Sequence, residues 1–111
     1  MAISTTTIQS TSASVAAAGT SVAPVAVVPL NCHTILIYNR DAANTLYVAE
    51  GAAGGAINPL LAMVIAPGGS VTIGCGPRSK RPTQAADMPL AFDASAAPTV
   101  ASITYICGLY T

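Results

Sequence analysis

The closing stretch of the chain, TVASITYICGLYT, alternates almost without fault. Ala101, Ile103, Tyr105, Cys107 and Leu109 share one face, while Ser102, Thr104, Gly108 and Tyr110 share the other, with Ile106 among them. Successive side chains of a strand point to opposite sides, so this pattern predicts a strand with one face in a core. HTILIYN (33–39) is instead continuously apolar and β-branched, the pattern of a strand buried on both faces. Asn39 to Asn44 then supply a polar loop, and TLYVAE returns as a second strand. LLAMVI and SVTIG flank APGGS, where Pro67 presets its own dihedral and Gly68 or Gly69 supplies the positive φ of a tight turn. MPLAFDA reads as a further strand. Helical periodicity is almost absent, and turn signals recur about every ten residues, the spacing of an antiparallel sandwich or barrel. The expected fold is all-β: an antiparallel β-sandwich, jelly-roll-like, over residues 19–111.

Two segments carry weaker patterns. Residues 1–18 are dominated by Ser, Thr and Ala, with Ile8 and Val15 the sizeable apolar side chains after Ile3. So small an apolar content gives little reason to fold alone, and the segment is expected to be an extended N-terminal arm or weak edge strand that orders on assembly. SVAPVAVV (21–28) has strand character, but Pro24 lacks a ladder donor and demotes it to an edge.

Composition changes the picture more than the strand pattern does. Globular chains carry about a quarter charged residues. This chain of 111 residues carries 7%, four basic against four acidic, while apolar residues make up 52%. Disordered segments combine low hydrophobicity with high net charge, so disorder is excluded for most of the chain. A net-neutral, charge-poor surface favours association. The N-terminus lacks the basic and continuously apolar regions of a signal peptide, and the longest apolar runs fall short of a membrane span. Cys32, Cys75 and Cys107 are odd in number and far apart, which does not describe a disulfide framework. Synthesis inside the cell, with no membrane partner, is the expectation.

Candidate chemistry is sparse. His33 is the single histidine and has no nucleophile or carboxylate motif around it. Cys32, His33, Cys75 and Cys107 offer the donors of a zinc site, but there is no C-x-x-C pair, and adjacent strand residues point apart. The carboxylates Asp41, Glu50, Asp87 and Asp93 fall at predicted loops or strand ends, where solvation or turn capping is their usual work. GAAGGA matches no phosphate-binding fingerprint. Neither catalytic residues, cofactor nor metal is expected. The one concentrated charge feature is PRSKRP, in which Arg78, Lys80 and Arg81 lie between Pro77 and Pro82. The loop lacks the wide basic surface and aromatic platforms of a nucleic-acid site. It is either a solvated loop or a contact for an acidic patch on a partner, with arginine pairing carboxylate.

The order TILIYNRDAANTLYVAEG, a Gly/Ala loop, VIAPGGSVTIG and a final strand resembles small structural proteins of tailed bacteriophages over roughly residues 20–111. Gly69 stands where the resembled turn usually has an acidic residue. Within that group the chain is similar to capsid decoration, or cement, proteins. The resemblance implies a β-rich, often trimeric, non-enzymatic virion protein that sits on the outer lattice of major capsid protein and reinforces its joints, made in the host cytoplasm. One alternative is a receptor- or glycan-binding module of a tail or head fibre, which would need an exposed aromatic cluster drawn from Tyr38, Tyr47, Tyr105, Tyr110 and Phe92. Another is a cupin-like enzyme, but one histidine does not assemble the multi-histidine metal site of such enzymes.

Overall fold

The computed structural model describes residues 3–26, 32–74 and 89–110. Seven strands form there: β1 (Ile3–Val15), β2 (Cys32–Asn39), β3 (Leu46–Glu50), β4 (Met63–Ile65), β5 (Ser70–Gly74), β6 (Leu90–Ala94) and β7 (Thr99–Tyr110), with a 3₁₀ turn at Pro59–Leu61. They pair as two antiparallel sheets, a four-stranded one in the order β1-β7-β2-β5 and a three-stranded one in the order β4-β3-β6. An isolated bridge sets Val22 against Phe92, so among the described residues β6 is flanked on its far side by a single residue. Counting Val22, the chain changes sheet at every step except β3 to β4, which is the winding of a jelly roll. The all-β sandwich predicted from the alternation is the fold.

The inward faces of the two sheets meet in a core centred on Tyr105, Phe92, Ile35, Ile37, Leu46 and Ile103, all fully buried. The predicted alternation of the last strand holds: Ala101, Ile103, Tyr105 and Cys107 are buried, and Val100, Ser102, Thr104 and Ile106 face away. Tyr105 crosses the core and donates its hydroxyl to the Ala26 carbonyl at 2.7 Å. In the APGGS turn Gly68 takes φ +72, and the Gly69 N–H donates to the Ala66 carbonyl at 2.8 Å. This is the conformation expected where Pro67 precedes a glycine.

Several expectations are corrected. Of the two readings of the N-terminal stretch, residues 3–15 take the edge strand and not the separate arm: β1 pairs with β7 from Ile3↔Tyr110 to Val15↔Thr99, and Ala13 and Val15 lie in the core. A low apolar content did not keep it apart, because main-chain pairing to the long strand β7 needs no large side chains, and the two that matter fall on its inward face. The strand predicted at 21–28 is reduced to the Val22 bridge among the described residues; Pro24 has no N–H to continue the ladder, and residues 27 and 28 lie outside them. β2 is buried on one face only, with Leu36 38% and Tyr38 42% exposed on the other. LLAMVI forms a strand only from Met63; Asn58 accepts from the Leu60 N–H at 3.0 Å and caps the 3₁₀ turn, in which Pro59 takes the first position.

Candidate assembly surface

The registers of the four-stranded sheet align its outward residues in rows. Ile8, Ile106 and Thr34 form one row; Ser10, Thr104, Leu36 and Thr72 the next; Ser12, Ser102, Tyr38 and Ser70 a third; Ser14 and Val100 a fourth. No row contains a charged residue. Large apolar side chains stand among small hydroxyls, with Ile8 69% and Val100 41% exposed. The Arg40 guanidinium lies over the Tyr38 ring, 5.4 Å from its centroid, so among the described residues the nearest cation stands at the end of this face. Outward positions of a sandwich ordinarily take charge to hold water; here they take Ser, Thr, Ile, Leu, Val and Tyr.

A second apolar feature lies beside β4. Leu60 and Leu61 are 90% and 82% exposed on the 3₁₀ turn, and Val64 is 55% exposed on β4. The sequence signal for this turn was Asn58-Pro59, a cap followed by proline, hidden by the apolar run LLAMVI.

Two polar clusters fix the loops. Asn39, fully buried, donates its Nδ2 to the carbonyls of Asn44 (2.9 Å), Ile65 (3.1 Å) and Ala66 (3.3 Å), and its Oδ1 accepts from the Asp41 N–H at 3.0 Å. The Asp41 carboxylate accepts from the N–H groups of Ala43 and Asn44, and Asn44 reaches on to Pro98 and Thr99. On β6, Asp93 is 3% exposed; its Oδ1 accepts from Gly19 N–H (3.0 Å) and Ala94 N–H (2.8 Å), and its Oδ2 from Ile57 N–H (3.3 Å). Both acids therefore hold backbone. Glu50 lines an open cleft of about 310 Å³ together with Ser21, Ala49, Gly51, Ala56 and Asn58. Among the described residues no second carboxylate or histidine lines it, and the Ser21 hydroxyl accepts from the Gly54 N–H at 3.0 Å.

Among the described residues, the sequence-derived site residues are not gathered into one centre. Arg78, Lys80 and Arg81, proposed as a partner contact, lie outside the described residues, as do Cys75 and Asp87. Cys32 stands opposite Cys107 in register, both buried, while His33 falls in the register shift beside them with its Nδ1 2.9 Å from the Thr34 hydroxyl. Among the described residues no three of His, Cys, Asp and Glu come together as a metal site, and no helix is long and apolar enough to cross a membrane. Among the described side chains the aromatics do not cluster at the surface: Phe92 and Tyr105 are core, Tyr47 is half-buried and Tyr38 sits under Arg40, while the Tyr110 side chain lies outside them.

No family model matches the chain, and no curated protein matches it. Among solved structures it is similar to one described by the words "Bacillus endospore appendages form a novel family of disulfide-linked pili", at 16% identity and a TM-score of 0.41, covering 99% of this chain and 96% of that one.

Proposed function

We propose that the chain is a non-enzymatic structural subunit, a capsid decoration protein whose working state is packed against a lattice of major capsid protein. The observation that supports this is the uncharged outward face of the four-stranded sheet, from Ile8 to Tyr38 and Val100. Small hydroxyl and methyl groups lose little hydration and little rotamer freedom on contact, so covering this face costs less than covering charged side chains. Each contact is weak, but repetition over a lattice sums them, and every copy adds contacts that must break before the shell opens. The fibre alternative has less support, because the described aromatics form no exposed cluster.

The role is tested by adding purified protein to empty shells that lack it and measuring bound copies by sedimentation. Saturation at a fixed ratio to capsid protein, with a raised shell melting temperature, is expected; no saturable binding overturns the role. Replacing Arg78, Lys80 and Arg81 together with Ser probes the basic loop in the same assay. Exposed ion pairs contribute about 0.2–1 kcal/mol each. Three of them correspond to an affinity loss of about tenfold at low salt that fades as salt is added. Unchanged affinity at low salt would make the loop a solvated one.

A further inference from the structure

The fold brings together two cysteines that the sequence sets far apart. Cys32 opens β2 and Cys107 lies near the end of β7, and the two are direct partners in the ladder between those strands. Both are wholly buried in the core that the sheets enclose, and both carry thiols.

A bulge makes this meeting possible. Along β2 the odd-numbered Ile35, Ile37 and Asn39 point inward, while Leu36 and Tyr38 point outward. A strict period of two would therefore turn Cys32 outward as well. The register instead steps from Thr34↔Ile106 to Cys32↔Cys107, so His33 is an extra residue on β2 and the parity reverses there. Cys32 is thereby returned to the inward side, where Cys107 already stands in line with Ala101, Ile103 and Tyr105.

The main chain sets their separation. The Arg40 N–H donates to the Val100 carbonyl at 2.9 Å, so even-numbered residues of β7 turn their main chain toward β2 and odd-numbered ones toward β1. Cys107 is odd, which makes Cys32 and Cys107 a pair without main-chain bonds between them. Such pairs are the closer kind, with Cα atoms about 4.5 Å apart. Disulfides span Cα separations of about 4.4–6.8 Å, so a bridge needs little more than the rotation of two side chains. The Cys32 thiol now donates to the Thr34 carbonyl at 3.3 Å, a weak bond within its own strand that this rotation gives up.

We propose that Cys32 and Cys107 are a redox-responsive pair that closes into a cross-strand disulfide, locking β2 to β7. The oxidant is a small-molecule disulfide. The Cys32 thiolate attacks one of its sulfurs, forming a mixed disulfide and expelling one thiolate. The Cys107 thiolate then attacks Cys32 Sγ; the Cys32–Cys107 bond forms, the mixed bond breaks and the second thiolate leaves. The two thiol protons pass to the two released thiolates, so the protein loses two electrons and the reagent gains them. Because both sulfurs are buried, the exchange awaits fraying at the start of β2, which makes it slow in both directions. Once closed, the bond joins the two central strands of the four-stranded sheet and encloses most of the chain between them. A crosslink over so long a loop removes much freedom from the unfolded chain. This lock belongs to the folded subunit itself and does not rest on shell binding.

The test holds the reduced natural protein with cystamine under native conditions. After acid quenching, unfolding and alkylation, peptide mapping is expected to find Cys32 linked to Cys107 and Cys75 alkylated. The thermal transition of the oxidised protein should rise by about 10 °C or more and return on adding dithiothreitol. One chain is compared in two states, so this reading does not depend on a variant folding. Cys32→Ala and Cys107→Ala should each abolish the rise, whereas Cys75→Ala should keep it. Recovery of Cys32 and Cys107 alkylated or capped by cysteamine, a bridge that includes Cys75, or a Cys32–Cys107 bond that leaves the transition where it was overturns the proposal.

Discussion

Deleting residues 1–15 is expected to remove the cooperative thermal transition of the free protein or lower it by roughly 15 °C or more. The main-chain bonds lost with β1 and the chain entropy recovered by releasing it are of similar size and largely cancel. What does not cancel is packing. Val15 and Ala13 are buried at 0% and 1% exposure, and without β1 the inward faces of Tyr105, Ile103 and Ala101 lose their cover along one side. That amounts to about 3–5 kcal/mol, a large part of the net stability of a domain this size. The deletion also bares β7, a strand of 12 residues, as an edge open to aggregation. Calorimetry of the truncated chain decides between this outcome and a separable arm, whose loss would leave the transition in place.

Asp93→Ala is expected to destabilise the protein by about 3 kcal/mol, because it strands the N–H groups of Gly19, Ala94 and Ile57 at a site that is 3% exposed. Asp93→Asn should cost less, about 1–2 kcal/mol: its carbonyl oxygen still accepts from Gly19 and Ala94, while its amide group now faces the Ile57 donor. Urea unfolding of the two variants gives the order directly. An Asp93→Asn variant as stable as the natural protein would show that Ile57 contributes nothing and that the carboxylate does not tie residues 51–58 to β6.

Much of the fold was legible in the sequence, and the reasons differ by element. The final strand was readable because each side chain from Thr99 to Cys107 obeys the period of two. The APGGS turn was readable because proline and glycine at those positions leave one conformation. Asp93 was harder: next to Phe92 it looks like a solvated strand end, and only the fold brings Gly19 and Ile57 to it from 74 and 36 residues away. β1 was left between arm and edge strand because Ser and Thr say nothing about pairing when the partner strand lies at the other end of the chain. Leu36 and Tyr38 were misjudged for the opposite reason, since an apolar run predicts burial without saying by what. That apolar, uncharged outward face is the feature on which the proposed assembly role rests, and hydropathy alone placed it in the core.

The most direct test of that face is to put charge in it. Leu36→Lys with Val100→Lys changes two exposed positions, 38% and 41%, on separate rows of the four-stranded sheet. Surface changes of this kind alter stability by about 0.5 kcal/mol or less, so the free protein should fold as before. Titrated onto empty shells lacking it, the natural protein is predicted to saturate them and the double variant to bind at least about a hundredfold more weakly. A folded double variant that fills the shells as well as the natural protein would contradict a role for this face in assembly.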